Sequence, residues 1–268
     1  MVQVTILLLF FSLLSCSVFA GDNLITLQTK GSGSTITIKQ AGNSNITGIY
    51  CGLGSFDNSL VNTHTCDNAT ITATVIGNSN IVYLQSVWSN HTRQSWIITV
   101  DGNDNYAVID MDEDDNTSTI IQDGNDNDAW ILGSGDDNVY KIEQLGNDYY
   151  AKIFAFSDDS DVWITQEGTG DHNAYVLNYP GGNNNSTRLI QKGSGNKDAD
   201  IFFYSGGDDN DVNLTQQGNG SHTAYMRFYT TDYDVAVIQK GSSNQSYSAQ
   251  FNCSGSGCNK TISITQND

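Results

Sequence analysis

A glutamine followed two residues later by a glycine recurs along the whole chain, and this repeat limits the possible folds more than any other feature. In residues 119–131, Ile120, Gln122 and Gly124 occupy its three fixed columns. Aligning the chain on the glutamine gives ten anchors, at intervals of 22 to 27 residues after a first interval of 35: Gln40, Val75, Val100, Gln122, Gln144, Gln166, Gln191, Gln216, Gln239 and Gln266. Fixed columns with a period of this size are typical of a solenoid.

Each repeat predicts two strands joined by turns. Ile120 and Gln122 alternate with residues of the opposite face in the first strand, and Ala129 and Ile131 do so in the second. Gly, Asn and Asp separate the strands, as tight turns require. The sequence therefore predicts an all-β, two-sheet β-solenoid of about ten strand–turn–strand rungs. It forms one domain over residues 21–268, without helices, and its inward column ends on Ser246 and Ser248.

The anchor column places amides in the interior, where an unpaired amide costs a few kcal/mol. Stacked at rung spacing, the amides can donate to one another along the axis and fix the strand register. The predicted interior ladder consists of Gln40, Gln122, Gln144, Gln166, Gln191, Gln216, Gln239 and Gln266.

Residues 1–20 are predicted to be a secretory signal peptide, with an apolar core and a small-residue cleavage site before Gly21. A lipid anchor on Cys16 is the alternative. No later apolar run is long enough for membrane insertion, so the mature chain is expected to be secreted. A net charge of -19 with 11 basic residues argues against nucleic acid as a partner.

Four cysteines remain after signal removal, in two local pairs that suit disulfides in an oxidising compartment. The expected bridges join Cys51 to Cys66, around an insertion at residues 52–65, and Cys253 to Cys258. Both lie near an end of the array, where a rung has only one neighbour. Their expected role is to hold the terminal rungs against fraying.

The segments Ser34-x5-Gln40-x-Gly42-x2-Asn45 and residues 191–199 resemble the curlin repeat, Ser-x5-Gln-x-Gly-x-Gly-Asn-x-Ala-x3-Gln, of curli fibre subunits. The resemblance implies an extracellular, amyloid-like cross-β fibre subunit of a biofilm matrix, with no enzymatic activity. This chain departs from the family in two ways. The second glutamine of the repeat is present only as Gln85, and curli subunits lack paired cysteines.

The function expected on these grounds is a secreted structural subunit of a homopolymer filament. The alternative is a monomeric carbohydrate-binding adhesin that binds matrix polysaccharide. Its outward aromatic residues could stack on sugars: Tyr83, Trp130, Tyr175, Tyr225 and Tyr247. A carbohydrate-cleaving β-helix enzyme is a third reading. No catalytic constellation supports it, since the four histidines are expected to lie in the insertion or in turns without sharing a column.

Acidic turns suggest calcium as the one candidate cofactor, because stacked carboxylates repel and oxygen ligands suit this ion. The candidate ligands are Asp104, Asp126, Asp148, Asp208 and Asp209. Solvated turns with diffuse counterions are the alternative.

Asn-x-Ser/Thr sequons exceed the number expected by chance and suggest a glycoprotein carrying N-glycans. Asn-rich turn composition is the alternative explanation. The candidate sites are Asn45, Asn68, Asn90, Asn116, Asn184, Asn185, Asn213, Asn219, Asn244, Asn252 and Asn259.

The two ends of the repeat array predict how subunits join. The last strand has no second strand after it, and an early strand lies before the first anchor. We expect head-to-tail completion of a shared rung by the carboxyl-terminal and amino-terminal strands. The expected junction residues are Leu24, Ile25, Leu27, Gln28, Ile262, Ile264 and Gln266.

Overall fold

The structure is a computed structural model of the 268-residue chain. It describes residues 2–9, 13–19, 22–30, 33–42, 44–52, 68–77, 79–87, 93–102, 104–112, 114–124, 126–146, 148–156, 158–169, 171–179, 184–204, 209–229, 232–241, 244–252 and 260–267. Most of the predicted insertion after Cys51 therefore lies outside the described residues.

The chain alternates between two parallel sheets of 11 strands each. Sheet A contains the odd-numbered strands: β1 (Val2–Leu9), β3 (Asp22–Lys30), β5 (Ser44–Gly52), β7 (Val82–Val87), β9 (Ala107–Met111), β11 (Asp128–Ser134), β13 (Tyr150–Phe156), β15 (His172–Asn178), β17 (Lys197–Phe203), β19 (His222–Phe228) and β21 (Gln245–Phe251). Sheet B contains the even-numbered strands: β2 (Leu13–Phe19), β4 (Thr35–Ala41), β6 (Thr70–Ile76), β8 (Ser95–Asp101), β10 (Thr117–Gln122), β12 (Val139–Gln144), β14 (Asp161–Gln166), β16 (Ser186–Gln191), β18 (Asn210–Gln216), β20 (Tyr233–Lys240) and β22 (Lys260–Asn267).

The sheet register follows the repeat alignment. In sheet B, Ile120 pairs with Ile142 and Gln122 with Gln144. A slip of one residue would turn these apolar columns toward water, so burial specifies the register. The predicted all-β, two-sheet solenoid is confirmed. The segment predicted to be a signal peptide contains β1 and β2, which stack on β3 and β4.

The core is a thin layer between the two sheets. Its middle columns carry branched aliphatics such as Ile142 and Ile153, both 0% exposed. At the edge of this layer a glycine makes room for a tyrosine, since a Cβ at Gly133 would lie 2.2 Å from the buried Tyr140 ring. The two positions are thus matched in volume, as close packing requires.

The predicted register of the last sheet A strand was wrong. Ser246 and Ser248 are exposed, and Tyr247, Ala249 and Phe251 pack against the core instead. The reason is a turn longer by one residue, because Ala224 lies eight residues after its anchor and pairs with Tyr247. This register buries apolar side chains where the predicted one would bury serines.

The anchor-plus-two glycines are required by close approach between rungs. A Cβ on Gly124 would lie 1.2 Å from the carbonyl oxygen of Gly102, and one on Gly146 would lie 1.3 Å from that of Gly124. Because no side chain fits there, the turn backbones stack directly on one another along the axis.

A second column of turn residues adopts the left-handed conformation. Its members are Asn68, Arg93, Asp115, Asp137, Asp159, Asn184 and Asp209, with φ between 47° and 60°. Asn and Asp tolerate this conformation better than most residues. Backbone geometry therefore explains part of the acidic character of these turns.

Candidate assembly interface and exposed surfaces

An amide ladder runs through the carboxyl-terminal part of the interior. Nε2 of each glutamine from Gln166 onward donates to Oε1 of the preceding anchor, over distances of 2.8 to 3.1 Å. The ladder joins Gln144, Gln166, Gln191, Gln216, Gln239 and Gln266. Within it, Gln191 also donates to the backbone carbonyls of His172 (3.0 Å) and Asp198 (2.8 Å), so its amide is shared between both sheets.

Gln40 and Gln122 are buried but lie outside this ladder. Among the described residues, neither amide atom of Gln122 has a hydrogen-bond partner, and Gln40 accepts from Thr47 Oγ1 while its Nε2 has no partner. Val75 and Val100 stand between them in the anchor column and cannot carry the chain of bonds. The eight-glutamine ladder predicted from the sequence thus forms only from Gln144 to Gln266.

The ladder is directional and stops at β22. Gln266 Nε2 donates to Gln239, whereas Gln266 Oε1 accepts no hydrogen bond from the described residues. Sheet A stops at β21, so within the described chain nothing covers the inner side of β22. Ile262 and Ile264, which continue inward columns, are consequently 42% and 45% exposed.

At the amino-terminal end, β3 lies in sheet A, the second-strand position of a rung. Ile25 and Leu27 face the core, and Leu24 is half-buried. Strand β2 lies where a first strand of the same rung belongs, with Val18 paired to Gln40. The structure describes Gln28 only as part of β3, paired with Tyr50.

A second ladder, of asparagines, was missed at the sequence level. Asn80, Asn105 and Asn127 each donate through Nδ2 to Oδ1 of the preceding asparagine, starting at Asn45, over 2.5 to 2.8 Å. Asn80, Asn105 and Asn127 lie inside the turns that join sheet B to sheet A, Asn45 lies at the start of β5, and all four are buried. Their constant position five residues after the anchor was the available signal.

In later rungs the same turn column carries buried ionisable groups. His172, Lys197 and His222 pair in adjacent strands and are at most 1% exposed. The expectation that no two histidines share a column was therefore wrong for His172 and His222. Lys197 Nζ donates to the Gly195 carbonyl (3.0 Å), and burial lowers the pKa of Lys197. Burial, and then the Lys197 charge, lowers the pKa of His222, whose ring nitrogens have no hydrogen-bond partner in the described part of the chain.

The structure stacks three of the calcium candidates but forms no metal site among the residues it describes. Partial burial, followed by the proximity of Asp104 and Asp148, raises the pKa of Asp126. Asp209 lies in the left-handed column, and Asp208 falls outside the described residues. The turns thus group carboxylates, and calcium remains a prediction.

Burial contradicts the prediction of glycosylation at three of the candidate sites. Asn45, Asn116 and Asn185 are at most 2% exposed, and their side-chain oxygens accept hydrogen bonds from neighbouring rungs. A glycan would have no space on these amides in the folded chain. The exposed candidates are Asn68, Asn184, Asn213, Asn219, Asn244 and Asn252, whereas Asn90 and Asn259 lie outside the described residues.

Cys51 is buried at the end of β5, and Cys66, Cys253 and Cys258 lie outside the described residues. The two disulfides therefore remain predictions.

The outer face of sheet A carries two rows of aromatic rings. The first row is Phe154, Tyr175, Phe202 and Tyr225, with ring centroids 5.3 to 5.7 Å apart; the second is Phe156, Tyr179, Tyr204 and Tyr229, at 5.3 to 6.2 Å. We call these eight rings the aromatic face. Tyr83 and Trp130 lie on the same side of sheet A, as predicted, while the inward Tyr247 does not.

Comparisons with family models, curated proteins and solved structures found no match to this chain. None of the described residues forms a helix long and apolar enough to cross a membrane.

Proposed function

We propose that this chain is secreted and is the structural subunit of an extracellular filament assembled head to tail. The observation that carries the proposal is the exposed inner side of β22, where Ile262 and Ile264 continue the inward columns with no strand of the described residues opposite them. Strand β22 pairs in register with β20, but its inner side is open. Such a half-built rung is a template for another strand.

The amino-terminal end offers the complementary half. In a chain without residues 1–20, β3 of one subunit would lie opposite β22 of the next, and β4 would pair with β22. Gln40 Nε2, which is buried and has no partner within the described ranges, would then donate to Gln266 Oε1 of the neighbour. The ladder direction is the same on both sides of this junction, which favours head-to-tail addition.

Signal removal is needed for this junction. Strands β1 and β2 occupy the positions that β21 and β22 of a neighbour would take, with Val18 in place of Gln266. A chain that retains residues 1–20 is therefore covered at its amino-terminal edge and is expected to add subunits poorly.

Electron microscopy of residues 21–268 tests the proposal, with two variants on one strand. Ile264→Lys places a charge inside the shared rung and should leave a folded monomer without filaments. Thr265→Lys puts the same charge on the outer side of β22 and should still form them. Filaments growing equally from both variants, or from chains lacking residues 21–29 or 261–268, would exclude rung completion.

The alternative function, a monomeric carbohydrate-binding adhesin, is supported by the aromatic face. Persistent monomers of residues 21–268 that bind polysaccharide would favour it.

A further inference from the structure

We infer that the aromatic face is a binding surface for an extended, uncharged polysaccharide. The inference is independent of filament assembly, because the face lies on the side of the solenoid and not at its ends.

The face is continuous over several rungs. Phe202 contacts Tyr175 on one side (5.3 Å) and Tyr225 on the other (5.6 Å), and it lies parallel to Tyr204 of the second row (6.1 Å, 10°). The Lys152 amino group extends the surface, since it lies 4.4 Å from the Phe154 ring centroid and 5.0 Å from that of Trp130. The eight rings lie on or just beyond β13, β15, β17 and β19, which gives a strip about 14 Å long at ordinary strand spacing.

Outer aromatic residues are concentrated on sheet A. Among the described side chains of the sheet B strands, Trp163 is the one aromatic side chain on the outer face. Its neighbours in register are Lys141 and Arg188. Strand propensity would favour aromatic residues on both outer faces alike. Strand propensity alone therefore does not explain why the outer aromatic residues are concentrated on sheet A, whereas ligand binding by this face would.

Polar groups are placed among the rings. Asp200 lies in register between Tyr175 and Tyr225, and burial raises its pKa. Arg227 lies over the Tyr229 ring, 4.8 Å from its centroid. A surface of flat apolar rings with interspersed acceptors and donors suits a molecule that has apolar ring faces and hydroxyl edges, which is the chemistry of a sugar.

The net charge of the chain limits which ligands could bind the aromatic face. With a net charge of -19, the chain repels nucleic acid and acidic polysaccharides. The aromatic face spans four successive rungs, which suits an extended chain better than a small ligand. A neutral linear polysaccharide lying along the axis meets each of these conditions.

Depletion from solution onto insoluble cellulose and chitin tests the inference, using residues 21–268 carrying Ile264→Lys to separate binding from assembly. We expect binding to at least one of the two that is insensitive to salt. The double variant Phe202→Val and Tyr204→Thr, which keeps strand-forming side chains, should bind at least tenfold more weakly. The matched control is Trp163→Thr on sheet B, which should bind as the unsubstituted chain does.

A second readout does not depend on those substitutions. Trp130 lies beside the strip, 6.0 Å from Tyr106, and soluble oligosaccharides of the bound polymer should change its fluorescence. In the Trp130→Tyr chain that change should disappear while binding persists. No binding to either polymer, equal loss in Trp163→Thr, or binding abolished by salt would overturn the inference.

Discussion

The turns that join sheet B to sheet A differ between the two halves of the solenoid. After β4, β6, β8 and β10 they hold the asparagine ladder, and seven residues separate Gln122 from Ala129. After β14, β16 and β18 the turns lead into His172, Lys197 and His222, the first residues of β15, β17 and β19, and eight residues separate Gln166 from Ala174. The same corner of the fold is thus built in two ways.

The difference shows that the same repeat can hydrogen-bond its buried side-chain amides in two ways, through the asparagine ladder or through the glutamine ladder. Where the asparagine ladder runs, the anchor column tolerates Val75 and Val100, and Gln122 has no partner. Where the turn lengthens and the asparagines are replaced, the glutamine ladder is continuous. Each half therefore has one ladder of side-chain amides, and each should depend on its own.

The largest expected effect is the loss of an internal glutamine. Gln191→Val removes the donor to Gln166 and the acceptor of Gln216, and it leaves two backbone carbonyls without that amide. Buried groups left unpaired cost about 1–3 kcal/mol each, so we expect the free energy of unfolding to fall by about 2–4 kcal/mol. Urea denaturation followed by circular dichroism measures it.

Gln122→Val is the matched control, because that amide makes no hydrogen bond and two other anchors are already valine. We expect a change within about 0.5 kcal/mol or a small gain in stability. Equal losses in the two variants would contradict the division of the solenoid into two ladders.

A smaller loss is expected from the asparagine ladder. Asn105→Ala removes donors to Asn80 Oδ1 and to the Gly102 carbonyl, and leaves Asn127 without its acceptor. We expect a loss of about 1–3 kcal/mol in the free energy of unfolding. In Asn196→Ala, which truncates an exposed asparagine of a longer turn, a change above about 0.5 kcal/mol would show that truncation alone is costly.

The smallest expected effect is a difference in pH dependence between the two kinds of turn. The pKa of His222 is lowered in the folded chain, so the unfolded chain binds the proton first and stability is lost as pH falls below 6.5. The pKa of Asp126 is raised, so the folded chain binds the proton first and stability is gained as pH falls toward 4. Acid should loosen the longer turns and tighten the shorter ones.

Amide hydrogen exchange at pH 7, 5 and 4 measures this difference rung by rung. His222→Gln should abolish the loss in the longer turns, and Asp126→Asn should abolish the gain in the shorter ones. Parallel changes in protection at both corners would contradict the assignment.

The repeat made the architecture predictable, since ten anchors, their glycines and the period-two alternation specify two stacked sheets. The last strand was misplaced because the alignment assumed a constant distance from anchor to inward column, and the eight-residue spacing of Ala174 and Ala224 was the overlooked signal. The burial of His172 and His222 was missed for the same reason. A polar residue in a turn is ordinarily exposed, and only the stacked register reveals that this turn points inward.

The interior ladder was predicted in kind but not in extent. Sequence identifies the glutamines, but whether two amides meet depends on the rung between them, and Val75 and Val100 separate Gln40 from Gln122. The aromatic face was predicted in part, since Tyr175 and Tyr225 were placed outward. Its second row, which includes Tyr179, Tyr204 and Tyr229 just beyond strand ends, depends on neighbouring turns and was not anticipated.

The parallel pairing also has a mechanical consequence. The backbone hydrogen bonds between rungs run along the axis, and each rung contacts only the rung before it and the rung after it. Tension between the two ends therefore passes through all the rungs in series, and each interface between rungs carries the same force. Resistance to pulling along the axis is set by the weakest rung and does not grow with the number of rungs, so a longer array extends farther before it breaks without becoming stronger.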